Sequence, residues 1–352
     1  MENLVQQLFD YGPNELFNEY GKPLHMDEKY FINFHYGYIK DRERSLKKKV
    51  KCMYPGCNKK PILSHSIPKS ATLGKIADSE GYVITPKFRG KEYTEDRISI
   101  NQASVFPGFC TLHERDFDGF EKSGDYRDES IVLQNFRVIC KYYNRWLSVK
   151  RSFEKSKVKY EKEIFDYYAY HLDKINALRP SPITIKKIAD EVTKHIDAQL
   201  SLIDYMIAKV QNEDFYPYVM TLSGKEDLTR VMLVEIDVSL PLCIAGKSEF
   251  ETDGKKYTVH LSLFPSDDKT TLIFSYNSEF EPCFRKEFSK YTNDEDVILF
   301  VESWMIYGTD DWFISPFEWN KYSNIKKNRI LNELKIEDYY PSRRLDFRIF
   351  ES

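Results

Sequence analysis

The spacing of apolar residues changes character along the chain. From Ser130 to about Leu178, Ile131, Leu133, Val138, Ile139, Tyr142, Trp146, Leu147 and later Ile164, Phe165, Tyr168, Leu172 and Ile175 recur at intervals of three and four. That period lines one side of a long helix. The sequence RPSP at Arg179 to Pro182 breaks it,. A second stripe follows at Ile185, Ile188, Val192, Ile196, Leu200, Ile203, Ile207 and Val210. Two such helices around a proline-containing break are expected to pair as an antiparallel hairpin. The C-terminal region or a second copy of the chain are alternative partners for the stripes, the latter making a homo-oligomer.

After Tyr216 the period shortens. The runs YPYVMTL, RVMLVEIDVSLPLCIA, KKYTVHLSLFP and TTLIFSYN read as strands, and TDGKK and PSDDKT between them as turns. Together they predict an antiparallel meander. Helices are expected to close the chain, first in DEDVILFVESWMIYG and then in SPFEWNKYSNIKKNRILNELK. In the latter, Ser315 and Glu318 have capping-box spacing and Pro316 suits a first helical turn. The paired Asp310 and Asp311 just before it read as part of this helix entrance.

Upstream, residues 45–125 are short strand-like pieces broken by Pro and Gly, among them GYVITPKF and RISINQASVF. Residues 1–44 are rich in Tyr and Phe, and no structure is assigned to them. The chain therefore reads as α+β, with an N-terminal aromatic segment (1–44), a small metal-held domain (45–128), a helical hairpin (129–213) and a C-terminal antiparallel sheet with flanking helices (214–352).

Composition narrows the class. With 41% hydrophobic and 30% charged residues over 352 positions, the chain can build real cores,. Its longest apolar run, VILFVESWMIY, falls short of the roughly 20 residues that span a bilayer,. The N-terminus lacks a basic head followed by an apolar stretch, so a soluble cytoplasmic protein is expected, without a membrane partner. A net charge of −3 argues against general adhesion to nucleic acid,. One local patch remains: between Lys40 and Lys60, nine basic residues face only Asp41 and Glu43. Lys47, Lys48, Lys49 and Lys51 are its candidate nucleic-acid contacts.

Six cysteines in a chain of this size do not call for disulfide staples,. Cys52 and Cys57 flank the turn YPG, and Cys110 and His113 stand three apart where a helix is expected to begin. Two short loops giving two ligands each is how a small domain supplies a tetrahedral Zn²⁺. The competing reading is two buried cysteines and an incidental Cys/His pair.

Between these knuckles lies ILSHSIPKS. Cysteine pair, strand-borne His65 and helix-opening second knuckle together resemble the HNH, or His-Me finger, nucleases of the four-ligand zinc type. The resemblance covers Cys52 to Glu121. It implies a treble-clef, ββα-metal-like domain with structural zinc on Cys52, Cys57, Cys110 and His113. It also implies His65 as general base and a catalytic Mg²⁺ or Mn²⁺ for phosphodiester cleavage in DNA or RNA. The acidic residue expected before the histidine is Ser64 here, and Glu114 stands where the family places a metal-touching Asn or His. Glu114 and Asp118, one helical turn apart, are the candidate replacements for the ion's ligands. The function implied is a nuclease suited to bacterial anti-phage defence. The alternative is a zinc-stabilised module that binds nucleic acid or protein without chemistry.

Overall fold

The structure, a computed structural model, describes residues 50–89, 92–123, 128–171, 200–309, 311–335 and 344–350, with residues 44, 45, 48, 194, 197 and 198. The rest of the predicted segment 1–44 and the RPSP break lie outside the described residues. These residues fall into two compact units: one spans Lys49–Tyr143 and Val210–Ser352, the other Asn144–Lys209 with the described residues before Lys49.

In chain order, the first unit begins with β1 (Leu63–His65), a helical turn over Lys69–Ile76, then β2 (Tyr82–Arg89), β3 (Glu92–Ser99) and β4 (Val105–Pro107). Short helices α1 (Thr111–Glu114) and α2 (Asp118–Ser123) follow, joined by a 3₁₀ turn at Arg115–Phe117. The long helix α3 (Asp128–His171) begins in this unit and continues into the other. After a π-helical stretch at Val210–Phe215 come α4 (Tyr216–Leu222), β5 (Thr229–Ile236), β6 (Leu242–Thr252), β7 (Lys255–Pro265) and β8 (Thr270–Asn277). The remainder is α5 (Glu281–Phe288), α6 (Asp294–Ser303), β9 (Trp312–Ile314), α7 (Pro316–Lys321) and α8 (Asn324–Glu333).

β1 and β4 form a two-stranded antiparallel ribbon, while seven strands form one sheet in the order β3-β2-β9-β6-β7-β8-β5. This order departs from the sequence reading in two ways. First, β5 closes on β8 at the far edge, so only β6, β7 and β8 are a meander. Second, β2 and β3, expected in a separate metal-held domain, enter the same sheet as the C-terminal strands. The bridge is β9, which pairs Ile84 with Ile314 on one side and Leu242 with Ile314 on the other. Boundaries near 128 and 214 therefore do not separate two sheets.

Alternation along β6 explains how the sheet is covered. Leu242 and Ile244 belong to a large core with Trp304, Trp312, Trp319 and Phe284, whereas Cys243 and Ala245 pack with Ile131, Val138 and Phe313. Successive side chains of a strand point to opposite faces, and both are apolar because helices lie on both. The hairpin of β6 and β7 turns at Asp253 and Gly254, both at positive φ (53° and 75°), as a two-residue loop requires,.

The run YPYVMTL is helical, a correction to its strand reading. Pro217 sits in the first turn of α4, where its missing N–H costs nothing,. Tyr218 is buried there, and its hydroxyl donates to Ser275 Oγ. Packing thus overrode β-favouring composition. Ser315 does precede α7, but its side chain makes no cap hydrogen bond, and Glu318 instead pairs with Lys321 at 2.8 Å.

In the second unit, Lys150 pairs with Asp204 and Lys157 with Asp197, each at 2.6 Å. As the number rises along α3 the partner's falls, so the helical residues 200–209 run antiparallel to α3, as the stripes predict. Val149, Phe153 and Ile203 are buried in this unit.

Candidate metal centre and the polar site beside it

The loop Cys52–Cys57 is laced to the strand and turn that precede α1. Met53 N–H donates to the Gly108 carbonyl (2.9 Å), Ile62 N–H to that of Phe109 (2.7 Å), and Cys52 N–H to Lys59 within the loop (2.8 Å). Gly56 takes φ +74° with nothing near its missing Cβ, so backbone conformation alone asks for glycine there,. The Tyr54 ring stacks on His113 at 3.9 Å. Cys110 is the N-cap of α1, which turns His113 back toward it.

Four ligand atoms consequently converge: those of Cys52, Cys57, Cys110 and His113 all lie within 4.8 Å of one another. His113 Nδ1 is 3.5 Å from both Cys52 Sγ and Cys110 Sγ, and Cys57 Sγ is 3.9 Å from Cys110 Sγ. Bonds of about 2.3 Å to sulfur and 2.05 Å to nitrogen, set tetrahedrally, place sulfurs about 3.8 Å apart and sulfur from nitrogen about 3.6 Å apart. Those three edges match, and the cluster could hold a metal ion. None of the six cysteines is in a disulfide.

The thiols of Cys110 and Cys52 are shifted in opposite directions. The backbone N–H groups of His113 and Leu112 hold the Cys110 thiol below its ordinary range,. Burial pushes Cys52 up to about 11, against backbone N–H groups that include that of Cys110, 3.2 Å from its sulfur. A bound cation is what would keep such a set deprotonated side by side.

Beside the cluster, β1 pairs His65 with Val105 and Ser64 with Phe106. The half-buried His65 ring places Nε2 3.1 Å from the Ile100 carbonyl, which makes that nitrogen the donor and leaves the lone pair on Nδ1,. Burial lowers its pKa below the usual histidine value, opposed by Glu121 and assisted by Arg137. His65 is therefore neutral at pH 7, the state a general base needs.

Ser64 is fully buried; its hydroxyl donates to Glu114 Oε2 (2.5 Å) and accepts from Phe109 N–H (3.1 Å). The Arg137 guanidinium bridges Glu114 Oε1 (2.6 Å) and Glu121 Oε1 (2.7 Å), while Glu121 Oε2 accepts from Lys69 N–H (3.0 Å). The carboxylate turned toward Arg137 beside Glu114 is thus Glu121, not the expected Asp118. Seven residues, close to two helical turns, separate Glu114 from Glu121, so the two can share a face,. All four oxygens of Glu114 and Glu121 accept from protein donors, so these residues fit a second, catalytic divalent ion poorly.

Glu121 and Arg137 were not singled out in the sequence. The signal was available: Arg137 stands between Phe136 and Val138 in the buried stripe of α3, where a charge demands partners,. In the basic patch, Lys48 and Lys51 are exposed, and Lys47 and Lys49 lie outside the described residues. Among the described residues no helix is long and apolar enough to cross a membrane. No protein-family model, curated protein or solved structure matches the chain.

Proposed function

We propose that the chain is a zinc-stabilised nuclease of the HNH kind that hydrolyses nucleic-acid phosphodiesters, with His65 as general base. One observation carries this reading. A neutral histidine with its Nδ1 lone pair free of the Ile100 contact sits on the strand between two knuckles whose ligand atoms have zinc's spacing. Zinc on Cys52, Cys57, Cys110 and His113 is structural: three thiolates and an imidazole are a closed set, and the ion ties the β1–β4 ribbon to α1. Free cysteines and a thiolate zinc site suit a reducing cytoplasm,. A treble-clef description and a role in anti-phage defence rest on the family resemblance alone.

In this mechanism His65 Nδ1 takes a proton from the water whose oxygen attacks phosphorus, and the leaving oxygen departs on the opposite side, taking up a proton from solvent. Ser64 and Arg137 hold Glu114, and Arg137 and Lys69 N–H hold Glu121, in a fixed wall beside the histidine. The carboxylates of Glu114 and Glu121 are already engaged by Ser64, Arg137 and Lys69 N–H. A general base supplies about 10²–10⁴-fold in rate. His65→Ala should therefore lower cleavage by that factor while zinc content and thermal midpoint stay near the parent's. A folded, zinc-loaded His65→Ala protein with full cleavage would sink the proposal.

A second reading, a binding module without chemistry, is favoured by the same engagement of Glu114 and Glu121. It expects a parent protein that binds nucleic acid or a protein partner, cleaves nothing, and is indifferent to His65→Ala.

A further inference from the structure

The buried guanidinium of Arg137 occupies the place where two carboxylates and Ser64 converge, and its charge is permanent,. Its side chain is 1% exposed, those of Glu114 and Glu121 about one-fifth (20% and 19%). The Phe117 ring lies 4.6 Å below it, so the cation is fixed from a third side. Planar forks of this kind hold two carboxylate oxygens at distances no flexible ammonium would keep. A divalent ion entering here would need oxygens that now accept from Arg137, Ser64 and Lys69 N–H, and would stand against a like charge it cannot displace without exposing a buried arginine.

We infer that Arg137 is an internal cation serving in place of a divalent metal, so that Glu114 and Glu121 form a latent metal site which opens only when Arg137 is removed. The inference rests on the HNH-like reading only for where the ion would belong. Its readout is binding of Mn²⁺ alone, so it fails or holds whether or not the protein cleaves anything.

The test uses the full-length, zinc-loaded chain and follows the thermal midpoint with and without millimolar Mn²⁺. The parent should be unmoved. Arg137→Met leaves two facing carboxylates without their cation, lowers the midpoint, and should recover about 5 °C or more on Mn²⁺ addition, by mass action on the folded state. Adding Glu114→Gln to Arg137→Met should remove the Mn²⁺ response. A parent whose midpoint rises with Mn²⁺ and loses that rise in Glu114→Gln overturns the inference. So does an Arg137→Met protein that folds and ignores Mn²⁺. If Arg137→Met does not fold, the triple variant Arg137→Met, Glu114→Gln, Glu121→Gln decides. With no stranded charge it should fold again, and an equally unfolded triple variant would mean that Arg137 acts through packing and not as a cation.

Discussion

His260 lies on β7 directly across from Lys247 on β6 and Ser275 on β8, under Asp214 and Tyr218 from the segment before β5. Asp214 pairs with Lys247 at 2.6 Å through one oxygen, and His260 Nε2 is 3.6 Å from the other. Burial drives the His260 pKa down to about 4, with Asp214 opposing and Lys247 assisting, so the ring is neutral in the fold. A histidine depressed in this way adds stability that is fully present above its unfolded pKa of about 6.5. That contribution is lost as pH falls from there toward 4. The thermal midpoint should drop more between pH 7 and pH 4.5 in the parent than in His260→Gln, and equal slopes would remove His260 from the account. The metal ligands make a second prediction at this scale. Elemental analysis should give one zinc per chain, and Cys110→Ser should lose it along with several kcal/mol of stability, because ligand binding and folding are linked. The convergence of these four residues is legible because their spacing encodes it,. Arg137 and Glu121 are legible only in part: a charge inside the buried stripe of α3 demands partners, but which carboxylates it meets is set by how α1 and α2 pack against α3,.

Among the elements, the three residues of β9 carry more of the architecture than their length indicates. Trp312 is fully buried, and its neighbours Phe313 and Ile314 pack in the two opposite cores. Trp312→Ala should cost about 3–5 kcal/mol, and hydrogen exchange should show β2 and β3 losing protection before β7 and β8. Simultaneous loss across all strands would contradict that order. Long periodic segments were readable: α3 and the β6–β7–β8 meander follow from spacing and turn residues. β9 was hidden inside a phrase that reads as the entrance to α7, since three residues hold no period. The helix α4 was hidden for the opposite reason, as its tyrosines and valine favour a strand until Pro217 and the burial of Tyr218 are taken into account.

At the scale of the whole molecule, the sheet joins what composition divides. A fragment of residues 45–128 would carry the knuckles, but β2 would lose its partner β9 and present an open edge,. Such a fragment should be poorly ordered or aggregate even with zinc, as dispersion in its amide spectrum would show. The net charge of −3 places any polyanion binding on the local lysines. Replacing Lys47, Lys48, Lys49 and Lys51 by Glu should therefore weaken binding across sequences and flatten its salt dependence. Unchanged binding would take the patch out of the picture.

The pairing of Ile84 with Ile314 also sets an order in time. Roughly 230 residues separate these partners in the chain, which at about 5–20 residues per second amounts to about 10–50 s of synthesis. The knuckles and Arg137 have all emerged long before β9 exists to close the sheet. A growing chain would thus acquire its metal ion early, while the ribbon of β2 and β3 waits with one edge unprotected until β9 has been made. Ribosome-bound chains stalled beyond α3 should already hold zinc, yet mature protease resistance should appear only once Trp312–Ile314 has left the exit tunnel. Any activity housed beside His65 would then be withheld from the unfinished polypeptide.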